Sequence, residues 1–66
     1  MGDMGDYYRD LREDRKARKA YDIARYYEKK GLPSGARIYY REVAEKYPES
    51  SYAGRAREKI EELSDD

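Results

Sequence analysis

Apolar residues recur at three- and four-residue spacing in the first half of the chain, which is the period of one face of a helix. Residues 6–30 contain neither Gly nor Pro, and Asp6 is the expected N-cap. The pattern therefore predicts a first helix over residues 6–30. The apolar side of this helix consists of Ala17, Ala20, Tyr21, Ile23, Ala24 and Tyr27.

A second helix is predicted between two residues that interrupt helices. Gly31 ends the first helix, and Pro33 stands where proline is favoured, in a first helical turn. Pro48 then ends the second helix, which is predicted over residues 33–47. Its apolar side consists of Ala36, Tyr39, Tyr40, Val43, Ala44 and Tyr47.

The segment after the second helix, "PESS", indicates a turn with a serine cap, and a third helix is predicted over residues 51–63. The three segments together predict an all-α fold in a single small domain, residues 1–66. Its architecture is an antiparallel helix-turn-helix pair followed by a third, capping helix. The apolar residues of the third helix are Ala53, Ala56, Ile60 and Leu63.

The composition changes what this core is expected to be made of. Of the 66 residues, 38% are hydrophobic, nine are tyrosine, and there is no Phe or Trp. A chain of this size buries only about 60% of the surface that its unfolded form exposes. Burial and the conformational entropy of about 1.5 kcal/mol per residue should nearly cancel. Tyrosine is therefore expected to supply the core, and the fold is expected to need support from outside the chain.

The charges are numerous but balanced, with fifteen Lys and Arg against fifteen Asp and Glu. Because there is no net field, nucleic acid and anionic membranes are disfavoured as partners. A basic stripe could bind phosphate or lipid, but acidic residues interleave with it, so a solvated helix face is the favoured interpretation. The stripe consists of Arg9, Arg12, Lys16 and Lys19.

The residue types that most often carry catalysis are missing. The chain has no Cys and no His, which removes disulfides, thiolate metal sites and the usual general base. Its carboxylates lie beside Lys and Arg on exposed helix faces, where general acid catalysis is disfavoured. We expect neither catalysis nor a cofactor. No apolar run approaches the roughly 18 residues of a membrane span, so a soluble chain without membrane insertion is expected.

Seven positions of the first two helices, together with Pro48, follow the spacing of a 34-residue repeat. This pattern resembles the tetratricopeptide repeat over residues 17–50. The family has a large residue where Ala20 stands and alanine where Val43 stands, while the other six positions agree or are close replacements. The resemblance implies that these residues form a structural core, which consists of Ala20, Ile23, Ala24, Tyr27, Ala36, Tyr40, Val43 and Pro48.

The same resemblance implies a concave groove that binds a peptide. Family members that hold the C-terminal carboxylate of chaperones have Lys and Asn where Tyr21 and Arg25 stand, so that ligand is not expected. An arginine next to a tyrosine could still hold an acidic or aromatic peptide segment by charge and stacking, but unused surface is the favoured interpretation. The candidate groove residues are Arg18, Tyr21, Asp22, Arg25, Glu28 and Lys29.

The segment "YDIARYYEKKGLPSGARIYYREVAEKYPESSYAGRAREKIEEL" is, more narrowly, similar to repeats of bacterial outer-membrane assembly lipoproteins. That similarity implies an envelope scaffold in the bacterial periplasm or envelope. Such proteins have several repeats, a signal peptide and a lipidated cysteine, none of which is found here. A fragment of a scaffold and an engineered or purely structural repeat without a natural ligand both remain open. Arg57 stands where a following repeat has leucine, which favours the third helix as a cap.

Self-association follows from the repeat pattern. A single tetratricopeptide unit cannot bury both faces of its helix pair, and about three repeats are usually needed for stability. Tyr7, Tyr8 and Leu11, at the start of the first helix, also lack a partner within the chain. We therefore expect a homodimer, formed by docking of helix one on helix one or by exchange of the third helix.

Overall fold

The computed structural model describes the backbone of residues 4–63 and the side chains of residues 12–63. Within that range the chain forms three helices, α1 (Met4–Lys29), α2 (Pro33–Lys46) and α3 (Ala53–Leu63), and no strand. The all-α prediction is confirmed, with a helix-turn-helix followed by a third helix. Each predicted boundary lies within two residues of the observed one. Tyr7, Tyr8 and Leu11 lie outside the residues whose side chains are described.

The turn between α1 and α2 is built around Gly31. Its φ of 76° lies in the left-handed region that glycine adopts without strain. The Gly31 N–H donates to the Glu28 carbonyl at 3.1 Å, and the Leu32 N–H donates to the Tyr27 carbonyl at 2.9 Å. These two bonds form a Schellman motif, which satisfies the last carbonyls of α1. Pro33 then occupies the first turn of α2, as predicted.

The capping predictions for α1 and α3 are wrong. α1 begins at Met4, so Asp6 lies inside its first turn, where an acidic residue is favoured by the helix dipole. α3 begins at Ala53, two residues after the predicted start. The Ser50 hydroxyl donates backwards to the Tyr47 carbonyl at 2.8 Å, and Ser51 binds Asp14 of α1 instead of capping α3.

α2 is the central helix and packs against both α1 and α3. Tyr40 and Val43 of α2 are the largest fully buried side chains. The Tyr40 and Tyr21 rings meet edge to face, with centroids 5.4 Å apart, and the Tyr21 ring contacts the Tyr52 ring with centroids 5.3 Å apart. Tyrosine therefore fills the space between helices that Phe and Leu usually fill. The core is completed by Ala17, Ala20, Ala24, Ala36 and Ala56.

Three predicted core residues differ from the prediction. Pro48 is exposed, because it lies in the turn that follows α2. Its role is to end the helix through its backbone, which does not require a buried side chain. Ile23 is 41% exposed, because it lies at the edge of the α1–α2 pair that α3 does not cover. Tyr27 is only half-buried and stacks on Tyr39 with centroids 5.6 Å apart. The other five predicted core residues are buried, as expected: Ala20, Ala24, Ala36, Tyr40 and Val43.

Candidate functional site

The face of α1 beside α3 carries an open depression of about 300 Å³, lined by Arg25, Glu28, Lys29 and Lys59. A second depression of about 230 Å³ adjoins it along α1 and shares Arg25 and Lys29 with it. We call Arg25, Lys29 and Lys59 the basic surface. Two of these cations are one helical turn apart on α1, and α3 brings the third to the same place.

Glu28 at this depression is held from two sides. The Tyr40 hydroxyl donates to its Oε1 at 2.7 Å, and Lys59 Nζ lies 3.4 Å from its Oε2. The hydrogen bond from Tyr40 is the main cause that lowers the pKa of Glu28 below its ordinary value of 4.5. Partial burial opposes this shift, and Lys59 reinforces it. Glu28 is therefore a fixed carboxylate that joins all three helices.

Tyr40 is the buried end of this network. Burial raises the pKa of its hydroxyl well above the ordinary value of 10.0, and the neighbouring Glu28 carboxylate raises it further. The hydroxyl is consequently a proton donor at any physiological pH. Its role here is to orient Glu28 and to satisfy a buried polar group, rather than to exchange a proton.

The structure removes Tyr21 from the predicted groove. Only 7% of this side chain is exposed, because Tyr52 in the turn before α3 covers it from one side and Tyr40 from the other. The prediction that Tyr21 lies in the groove is therefore wrong, because its side chain is buried. Tyr26, which was not in the predicted groove, is 56% exposed and lines the second depression with Arg25 and Lys29. It is therefore the tyrosine that lies beside the basic surface.

Arg18 and Asp22 lie further towards the start of α1 and face each other. Arg18 Nε is 3.8 Å from the nearer Asp22 oxygen, with 70% and 61% of the two side chains exposed. An exposed pair of this kind contributes little to stability. Both groups are accessible to a ligand because most of each side chain is exposed. Asp22 also lines the second depression, where it adds negative charge at its far end.

Lys59 is a second residue that sequence reasoning missed. Glu28 and Lys59 are far apart in the chain, and only the packing of α3 brings them together. Lys59 also lies 3.9 Å from Glu62 on its own helix. The sequence does place Lys59 next to Ile60, at the edge of the apolar stripe of α3, and this position could have indicated that it lies near α1.

Membrane spans and metal sites were both sought among the described residues. Among residues 4–63, no helix is long and apolar enough to cross a membrane. Within the same residues, no cluster of three or more acidic groups is arranged to hold a metal ion.

Comparison of the chain with protein-family models, curated proteins and solved structures gave no match.

Proposed function

We propose that the chain is a protein-interaction module of the tetratricopeptide type, without catalytic activity, that binds an acidic peptide segment at the basic surface. The observation that carries this proposal is the excess of cations in one open depression. Arg25, Lys29 and Lys59 surround a single carboxylate, and Glu28 already accepts hydrogen bonds from Tyr40 and Lys59. Arg25 and Lys29 are exposed and present their donors to solvent.

The arrangement suits carboxylates spaced along an extended peptide. The Arg25 guanidinium offers a planar pair of donors to one carboxylate, and the Lys29 ammonium offers a point charge to the next. The exposed ring of Tyr26 provides a surface on which an aromatic or aliphatic side chain of the peptide can stack. Because both cations are exposed and screened, we expect modest affinity that falls with salt.

The tetratricopeptide assignment rests on the spacing of the repeat residues. The antiparallel pair, the Gly31 turn and a third helix on the same α2 are consistent with it. A role in bacterial envelope scaffolding rests on the sequence resemblance alone. A purely structural or engineered repeat has no ligand, and a binding experiment separates it from the function proposed here.

Charge reversal on the basic surface tests the proposal. The probe is a fluorescently labelled peptide of Glu, Asp and Gly, with a Lys-containing counterpart as the negative control. Arg25→Glu and Lys29→Glu should each weaken binding about three- to tenfold, since each replaces an attraction with a repulsion. Both variants should keep their stability within about 0.5 kcal/mol, because the residues are exposed.

Arg41→Glu is the matched control, because Arg41 is exposed on α2 and the substitution changes the net charge by the same amount. It should bind the acidic peptide as the parent does. Equal weakening by all three variants would show that net charge, and not the basic surface, attracts the peptide. No binding by the parent at low salt would contradict the function itself.

A further inference from the structure

A second concave surface lies on the other side of α1. Ile23 and Arg25 are two residues apart, so their side chains diverge by about 200° around the helix, and Ile23 faces away from the basic surface. There it lines a cavity of about 200 Å³ between α1 and α2. We call this cavity the α1–α2 groove. Its described lining consists of Lys16, Lys19, Ala20, Ile23, Tyr39, Glu42 and Tyr47.

The floor of the α1–α2 groove is apolar and incompletely covered. Ile23 is 41% exposed, although it is one of the largest aliphatic side chains of the protein. Tyr39 and Tyr47, from α2 and the residue that follows it, are half-buried. The lining residues come from the α1–α2 pair and its end, and α3 contributes none of those described. This face therefore presents apolar surface that a further chain could bury.

The charges at the two lips of the groove are of opposite sign. Lys16 and Lys19 stand on the α1 side, and Glu42 stands on the α2 side. Tyr21 of α1 contacts Tyr40 of α2, and Lys19 and Glu42 each stand two residues further from the α1–α2 turn, so they lie at similar heights along the groove. The surface thus carries its own complement, since an arrangement that places the α1 lip of one copy on the α2 lip of another at the same height pairs opposite charges.

Two symmetric ways of placing one copy on another are distinguished by this pattern. A twofold axis across the groove brings α1 onto α1 in the reverse direction, so Lys16 and Lys19 meet their own counterparts and repel when the axis passes close to them. A twofold axis along the groove brings α1 onto α2 and preserves height along the axis. It therefore pairs Lys19 of each copy with Glu42 of the other, once at each lip. The same rotation brings Ile23 of one copy over the Tyr39 side of the other.

We propose that the α1–α2 groove is a homodimer interface, occupied by a second copy of this chain with the twofold axis along the groove. The charge pattern disfavours the docking of helix one on helix one that the sequence suggested, since like charges would meet. The dimer leaves the basic surface free, because that surface lies on the opposite side of α1. Dimerisation and peptide binding are therefore independent, and either can fail without the other.

Charge reversal with rescue between chains tests this interface. Sedimentation equilibrium of the full chain, extending to about 100 μM, should give a dimer that dissociates on dilution. Glu42→Lys makes both lips basic, and the double variant Lys16→Glu, Lys19→Glu makes both lips acidic. Each variant alone should raise the dimer dissociation constant about tenfold or more. An equimolar mixture of the two should restore dimers, now containing one copy of each.

Glu45→Lys is the control, since Glu45 is exposed on α2 outside the groove and its substitution changes the charge equally. It should dimerise as the parent does. Circular dichroism is used to check that each variant is folded. Formation of the mixed dimer is a second check, because only folded copies of the two charge-reversed chains can pair. A parent that stays monomeric overturns the proposal. So does a dimer that Glu42→Lys leaves intact, the result expected for docking of α1 on α1 or exchange of α3.

Discussion

Removing the Tyr40 hydroxyl tests the hydrogen bond by which the core reaches Glu28 of the candidate site. In Tyr40→Phe the ring keeps its place against Tyr21, and only the 2.7 Å hydrogen bond to Glu28 is lost. The substitution therefore tests the network without opening a cavity.

The expected cost follows from the partners of this bond. A hydrogen bond to a charged group contributes about 1.5 to 3 kcal/mol to stability. Glu28 keeps Lys59 at 3.4 Å, and its side chain is 31% exposed, so water can replace part of the lost interaction. We therefore expect the lower end, about 1.5 kcal/mol. This is a large share of the roughly 3 to 10 kcal/mol available to a domain of this size.

The pH dependence distinguishes the hydrogen bond from a packing defect. The pKa of Glu28 is lower in the folded protein than its ordinary value of 4.5, so its ionised form stabilises the fold above that pH. This contribution is lost as the pH falls through the lowered pKa. Tyr40→Phe removes the main cause of the shift, so the acid loss of stability should be shallower in the variant than in the parent.

The assay is urea denaturation followed by circular dichroism, at neutral pH and at several values below 4.5. Tyr39→Phe serves as control, because Tyr39 contacts Tyr27 through its stacked ring and that contact survives the loss of the hydroxyl. A Tyr40→Phe variant as stable as the parent, or one whose acid unfolding runs parallel to that of the parent, would refute the reasoning.

Three further predictions follow from burial, backbone geometry and ionisation. By thermal denaturation, Tyr40→Ala should cost about 3 to 5 kcal/mol, whereas the half-buried Tyr27→Ala should cost about 1 to 3. In the same assay, Gly31→Ala should cost about 1 kcal/mol because of its positive φ, while Gly54→Ala, where an added Cβ meets nothing, should stabilise α3 by about 0.5 kcal/mol. The raised pKa of Tyr40 gives stability that is complete below pH 10 and falls as the pH rises above it, so helicity followed by circular dichroism should decline there, and less so in Tyr40→Phe.

The helices could be predicted from the sequence because their signals are local. Gly31 and Pro33 determine one turn, and Pro48 determines the end of α2, through backbone restrictions that do not depend on the rest of the fold. The cap of α3 could not be predicted in this way, because Ser51 donates to Asp14 on another helix. Local capping rules do not account for a partner brought in by tertiary packing.

The candidate site was predicted in part for the same reason. Arg25, Glu28 and Lys29 lie within about one turn of α1, so the spacing alone places them together. Tyr21 lies on the same side, but Tyr52 covers it, and Lys59 joins the site only when α3 packs. Both differences come from contacts between α1 and the segment after α2, and a helical pattern contains no information about them.

The most direct test of the proposed function is to locate the bound peptide on the protein. Amide chemical shifts of the isotopically labelled chain, followed by NMR during titration with the Glu- and Asp-containing peptide, report where it binds. Our account predicts that the largest changes occur at Arg25, Lys29 and Lys59, and that they saturate and diminish with added salt. Changes centred on the α1–α2 groove, or no saturable change at low salt, would contradict it.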